Sequence, residues 1–236
     1  MLPTTTASAL ALTLVGLTVA PLPGPAPAPQ EASHFPVPEG ALIINAPEDS
    51  RFTMEELLVA FSELTGQQIH MSAQARNTMA QTDVGLLGSV HVPGDQLYSF
   101  LENLLFQNGF VMAELRSSEP RLLGIHSLWG NESHQISRFV EVPGEQIARY
   151  ADHPALLVQS VIDVGALEAR QVVNSLRPLM RNTNYQTMLA AGNGNSVIMR
   201  GTGADLAGWA SLLEKAVEYQ EAWLESLQQQ ADPQDG

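Results

Sequence analysis

Histidines, paired carboxylates and one glycine-rich loop are the places where this chain could do chemistry. The six histidines are His34, His70, His91, His126, His134 and His153. None falls into the H-E-x-x-H spacing that sets two imidazoles on one helix face around a metal. His70 and His91 lie in strand-like runs, and adjacent strands would bring the two rings together; strand-surface or half-buried histidines are the plainer reading. Glu48/Asp49 and Glu55/Glu56 are carboxylate pairs, but successive positions on a helix point in different directions, so they do not form an acid and base couple. They read as solvated charge of the kind the N-terminal end of a helix dipole favours. Gly192-Asn193-Gly194-Asn195 lacks the lysine of a phosphate-binding loop and joins two strand-like runs, as a hairpin turn does. There is no G-x-S-x-G nucleophile elbow. With no cysteine in the chain, disulfides, thiolate zinc sites and cysteine nucleophiles are excluded. Asn131-Glu132-Ser133 matches a glycosylation acceptor, a pattern that chance supplies often. The expectation is a protein without catalytic residues, metal or cofactor.

The elements that would have to position any site are those of a folded, acidic chain. Hydrophobic residues make up 44% and charged residues 15% of 236 positions, enough apolar material for a packed core. The formal net charge is −14, which repels phosphate backbones and argues against nucleic-acid binding. The charge is uneven. From Pro38 to Ser127 eleven acidic residues face four arginines, a net of −7; from Pro154 to Glu225 seven face five, a net of −2. A basic partner surface complements the first stretch, and a plainly solvated surface also explains it.

Ala7 to Ala20 is an apolar, small-residue run, too short to span a bilayer comfortably and suited to the core of a signal peptide. No Lys or Arg precedes it, and the first in the chain is Arg51. Pro21 to Pro29 is a Pro/Ala-rich spacer that favours extended chain. Residues 1–34 are therefore read as a signal-like segment plus linker, and the expected location is periplasmic or otherwise exported, with no membrane span in the mature chain.

Residues 35–127 read as β-α-β-β-α-β-β. Ala41 to Asn45 is a strand, and Pro47 to Ser50 turns the chain. Thr53 followed by Glu56 is a capping box, Met54, Leu57, Leu58, Phe61 and Leu64 follow at helical spacing, and Gly66 ends the helix. Strands are expected at Gln68 to Met71 and near Val84 to Val92. A second helix carries Leu97, Phe100, Leu101, Leu104 and Leu105 and stops at Asn108-Gly109; a hairpin of Phe110 to Leu115 and Arg121 to His126 follows. Residues 128–153 read as a connector, with a strand at Arg138 to Val142 and a short helix at Glu145 to Tyr150. Residues 154–227 read as β-α-β-β-α: Ala155 to Val164, a helix Ala166 to Met180, strands Gln186 to Ala191 and Ser196 to Arg200, and a long helix through Leu227 with Leu206, Trp209, Leu213, Val217 and Tyr219 near one face. Residues 228–236 read as a frayed, disordered tail. The fold class is α+β, two small units, each covering one sheet face with helices and each self-sufficient but modestly stable. Their uncovered faces and edges invite a partner or another copy.

The segment Thr53 to Gly66, TMEELLVAFSELTG, followed by QIHM, resembles the first periplasmic domain of secretins, as does the second helix ending in Asn108-Gly109 before a hairpin. The same fold occurs as the signalling domain of some TonB-dependent receptors. Val172 to Leu179, VVNSLRPL, and Asn193 to Gly201, NGNSVIMRG, resemble the next secretin module, a KH-like domain. The resemblance covers most of Phe35 to Glu225 and implies docking of partner proteins or of other subunits in the periplasm. Secretins continue into a pore-forming β-rich region, which these 236 residues do not contain. What the resemblance implies is an assembly module of a type II secretion or pilus-type envelope complex, meeting a secretin or an inner-membrane platform protein. A homo-oligomer is a further expectation. A sensory domain of the receptor kind is the alternative; a small hydrolase ranks below it. So does an RNA-binding KH protein, which needs a G-x-x-G loop and a basic groove, whereas Lys215 is the sole lysine here. Trp223 and Leu227, beyond the expected sheet, are candidate partner-surface residues, or else cover Leu128 and Trp129. Glu55 and Glu56 are further candidates for that surface.

Overall fold

The computed structural model describes residues 34–46, 51–129, 136–192 and 194–231. The signal-like run, the Pro/Ala spacer, the Pro47 to Ser50 turn, His134 and the Asn131 acceptor lie outside the described residues.

The first unit opens with β1 (Leu42–Ala46), α1 (Met54–Thr65) and β2 (Gln68–Met71). The capping box forms as its sequence dictates: the Thr53 amide donates to Glu56 Oε2 at 2.8 Å, and the Glu56 amide donates back to Thr53 Oγ1 at 3.3 Å. Gly66 closes α1 with φ of 69°, a left-handed conformation that suits glycine. Next comes α2 (Ala73–Gln81), a helix that the periodicity does not announce. Only Ala75 and Met79 are buried on it, and Ser72 caps it by accepting from the Ala75 amide. A helix with two apolar anchors leaves almost no stripe to read. Then follow β3 (Gly88–Val92), α3 (Leu97–Gln107), β4 (Phe110–Arg116) and β5 (Leu122–Ser127).

These strands form two sheets. β1 pairs antiparallel with β3, and β2, β5 and β4 form the second sheet in that order. His70 on β2 and His91 on β3 belong to different sheets, so they are not neighbours on adjacent strands. Among the described residues no group of three His, Cys, Asp or Glu is disposed to hold a metal.

The second unit is a four-stranded sheet in the order β6-β7-β9-β8. It is built from β6 (Val140–Glu141), β7 (Leu157–Asp163), α4 (Ala169–Leu176), β8 (Thr187–Ala190), β9 (Ser196–Thr202) and α5 (Gly203–Ala231). The connector supplies one of these strands: β6 lies parallel on the edge of β7, and a 3₁₀ turn over Gly144–Tyr150 packs against α5. Helix α5 runs to Ala231, into the stretch read as a tail, because its Leu-Gln-Gln-Gln-Ala run consists of good helix formers. Leu206, Trp209 and Leu213 of α5 are buried, whereas Tyr219, expected near the same face, is 78% exposed.

The sequence reading assigns each unit its own core. The buried apolar residues instead form one cluster that runs from Phe35 and Leu42 through Met112 and Leu156 to Trp209 and Leu213. The two units retain their separate sheets, but their interiors are continuous.

Candidate functional site

The seam between the units is where charged groups are buried, and α3 positions the central one. Leu97, Tyr98, Leu101, Glu102 and Leu105 all face inward on that helix, so Glu102 occupies an apolar-face position with a carboxylate and is 0% exposed. Its oxygens are met by the start of β7. Glu102 Oε2 accepts from the Ala155 and Leu156 amides at 3.1 and 2.9 Å, and Oε1 lies 2.7 Å from His153 Nδ1. A buried carboxylate survives only when paired and hydrogen-bonded, and these three contacts meet that need. The backbone adds to the join: the Met112 amide of β4 donates to the Ala155 carbonyl at 2.8 Å, and Met112 and Leu156 form a parallel bridge.

A second polar group lies alongside. His34 Nε2 sits 3.2 Å from Glu114 Oε2, Arg121 Nη1 is 3.4 Å from Glu114 Oε1, and the Tyr150 hydroxyl is 3.1 Å from His34 Nδ1. Arg121 also donates to the His34 carbonyl at 3.0 Å. Phe35 stacks flat on Tyr98 with ring centroids 4.4 Å apart, and the Arg121 guanidinium lies over the Phe35 ring, 5.6 Å from its centroid. The hydrogen bond from His34, helped by the charges of His34 and Arg121 and opposed by burial, holds the Glu114 carboxyl below its ordinary pKa. Burial pushes the Tyr98 phenol up to about 12. Burial and the nearby Glu114 charge raise Tyr150 as well.

On a second face of the seam, Val111 and Ala113 of β4 pack with Leu157 of β7 and Tyr185. Burial, with the charge of Asp205, raises the Tyr185 phenol. At the mouth of the polar seam lies a cleft of about 940 Å³, with Val37, His91, Asp95, Asn103, Gln146 and Asp152 among its lining residues. Strand β3 contributes Val90 to Val92 to this cleft and pairs only with β1 among the described strands, so one of its edges is unpaired.

In chemical terms this is a clamp. The Glu102 carboxylate is committed to two backbone amides and a histidine, and Glu114 to a histidine and an arginine. The candidates read from sequence lie elsewhere. Glu56 caps α1, and Glu55 pairs with Arg76 at 2.6 Å, both on the first unit. Trp223 and Leu227 lie on α5 of the second unit, 55% and 41% exposed. Trp129 packs against Gly109. The four candidates thus sit on two elements in different units, and the seam residues Glu102, Glu114, Arg121, His34 and His153 were not among them. One signal in the sequence does point to Glu102: a carboxylate three residues before Leu105 and four after Tyr98, within an apolar helix face.

Two small units of this kind, joined end to end, define a fold class: the chain has the fold of secretin N-terminal domains. Over 71% of its length it matches a chain of the Klebsiella pneumoniae type II secretion system outer membrane complex, a structure of PulD, PulS and the PulC HR domain, with a TM-score of 0.50 and 16% identity. It covers 26% of that chain, so the protein spans about a quarter of its length. Two other solved structures are matched with TM-scores of 0.25. One is the N-terminal domain of the secretin XcpQ from Pseudomonas aeruginosa, at 14% identity over 76% of this chain and 64% of that one. The other is the GspC-GspD complex of enterotoxigenic Escherichia coli, at 11% identity over 75% of this chain and 99% of that one. The fold assignment rests on the first match. No family model and no curated protein matches the sequence.

Proposed function

We propose that this chain is a non-catalytic protein–protein interaction module of a type II secretion or pilus-type envelope complex, exported to the periplasm. The observation that carries the reading is the locked tandem. The sheet of β2, β5 and β4 with α3 and the sheet of β6, β7, β9 and β8 with α5 are held together by a buried carboxylate that bridges α3 and β7. A clamp of that kind holds two recognition surfaces at a set angle, which suits docking between subunits better than turnover of a small substrate. The cleft and the unpaired edge of β3 offer a partner main-chain hydrogen bonds by strand addition, with side-chain pockets to select it. The net charge of −7 over Pro38 to Ser127 favours a partner with a basic docking face, such as a secretin or an inner-membrane platform protein.

Export agrees with the signal-like run at Ala7 to Ala20, and no helix among the described residues is long and apolar enough to cross a membrane. The test is photo-crosslinking in living cells from a reactive residue at His91, with Glu63 on α1 as a control position. Cross-links to a secretion-envelope component from His91 and not from Glu63, in the periplasmic fraction, are the expected result. A cytoplasmic chain, or cross-links restricted to metabolic enzymes, would overturn the reading.

A further inference from the structure

Two histidines stand at the seam, and the structure treats them differently. His153 precedes β7, and its Nδ1 lies 2.7 Å from Oε1 of Glu102 on α3. Glu102 is 0% exposed, and its other oxygen accepts from the Ala155 and Leu156 amides. The imidazole therefore meets a carboxylate that is fully withdrawn from solvent. His153 itself lines the cleft and keeps 14% of its side chain exposed, so protons reach it without the seam opening. His34 is placed otherwise. Its Nε2 faces Glu114 at 3.2 Å, and its Nδ1 faces the Tyr150 hydroxyl at 3.1 Å. Glu114 also has Arg121 at 3.4 Å, a cation that does not give up its proton in a protein.

Charged and titratable groups reach His153 from each element around it. Helix α3 brings Glu102 and Tyr98. The 3₁₀ turn brings Tyr150, whose ring centroid is 5.5 Å from that of His153, with Arg149 and Asp152 in the same cleft wall. The stretch before β1 brings His34, and β3 and the turn after it bring His91 and Asp95 to the cleft. Helix α5 starts against the His153 carbonyl, which accepts from the Ala204 amide at 3.0 Å, and its first-turn carboxylate, Asp205, accepts from the Gln186 side chain at 2.8 Å. Among the described residues, Glu102 is the charged group hydrogen-bonded to the His153 ring. A charge-assisted pair is roughly twice as strong as a neutral one, and a buried carboxylate deprived of its cation is left uncompensated.

We propose that His153 is a proton-operated latch between α3 and the start of β7. When protonated, the imidazolium compensates Glu102 and the seam is closed. When the proton leaves, the neutral ring still donates its Nδ1–H, but the two amides and that dipole are left to offset a full buried charge, and the seam loosens. The latch is thus tight on the acid side and loose on the alkaline side. Histidine is the side chain whose charge changes between about pH 5 and 8. Other seam groups keep their state across that window, since Glu114 is held below its ordinary range and the Tyr98 and Tyr150 phenols are pushed above theirs. His34 does not act as a second switch. In its neutral form Nε2–H donates to Glu114 and Nδ1 accepts from the Tyr150 hydroxyl, so both contacts persist, and Arg121 still compensates Glu114. The seam therefore has a fixed half and a switchable half.

The latch is independent of the secretion reading, since it concerns the chain alone. The experiment is amide hydrogen exchange of the full chain by NMR at pH 5.5 and pH 8. The Ala155 and Leu156 amides, which donate to Glu102, are read as a ratio to two amides away from the seam. These are Met54, bonded to the Thr82 carbonyl, and Val164, bonded to the Asn195 carbonyl, so that base catalysis and global opening cancel. The expected result is a ratio that rises about fivefold to tenfold from pH 5.5 to pH 8 in the wild type. His153→Gln keeps a neutral donor but cannot titrate, and its ratio should stay flat; His34→Gln should follow the wild type. If His153→Gln does not fold, the wild-type ring nitrogens decide: the exchange step must coincide with the titration of His153. A wild-type ratio that does not change with pH overturns the proposal. So does a step that survives in His153→Gln, or one that follows the His34 ring or vanishes in His34→Gln.

Discussion

The seam between the units and the outer half of α5 treat the same physical problem in opposite ways. At the seam, charged groups are taken out of water and each is given partners: Glu102 has two amides and His153, and Glu114 has His34 and Arg121. On the outer half of α5, a tryptophan, a tyrosine and two leucines are left in water with nothing described against them. Buried charge is tolerated only at a fixed geometry, so the seam sets the angle between units. Apolar surface in water carries a standing free-energy cost that association removes. The first region ties the two sheets together, and the second leaves apolar side chains in water.

The largest effect expected is at the seam. Glu102→Ala leaves the Ala155 and Leu156 amides buried without an acceptor, and it should cost about 3–5 kcal/mol in urea unfolding. Glu102→Gln keeps one acceptor and should lose less. Equal stability of Glu102→Ala and wild type would mean that the seam contributes nothing to the fold.

The pH dependence sharpens the same point. Folded Glu114 titrates below its unfolded value, so its contribution is complete above the unfolded pKa of about 4.3 and is lost as pH falls through the lower folded value. Thermal unfolding between pH 6 and pH 2 should therefore show a loss that Glu114→Gln flattens. Tyr98 behaves in the reverse sense. Its folded pKa of about 12 lies above the unfolded value of about 10, so its contribution is whole below the unfolded value and is lost as pH rises through the folded one. Tyr98→Phe should remove that alkaline loss, measured by unfolding between the unfolded and folded values.

The smallest effect is expected at α5. Trp223→Ala should change monomer stability by no more than about 0.5 kcal/mol, as exposed substitutions do. A loss of several kcal/mol there would mean that the outer helix packs on the body, and the contrast between the two regions would disappear.

Much of the fold was legible because its signals are local. The Thr53/Glu56 capping box, the Gly66 and Asn108-Gly109 stops and the apolar stripes of α1 and α3 all formed where their residues stand. The α2 helix was not legible, since two anchors make no period. The strand expected within Arg138 to Val142 did form, as β6, but its place on the edge of β7 was not legible, because pairing depends on a distant partner. The clamp escaped for a related reason. Glu102 reads as surface charge until the Ala155 and Leu156 amides, more than fifty positions away, arrive to bind it. Trp223 and Leu227 were marked from sequence alone, because helical spacing past the last sheet-covering residue is a local signal.

The most direct test of the locked tandem is a distance measurement between the units. The chain has no cysteine, so Asn77→Cys on α2 and Glu214→Cys on α5, both exposed, give two clean sites for spin labels. Pulsed dipolar spectroscopy should return one narrow distance distribution, which broadens in the Glu102→Ala background. A broad distribution in the otherwise native chain would contradict the account, because the units would then move independently.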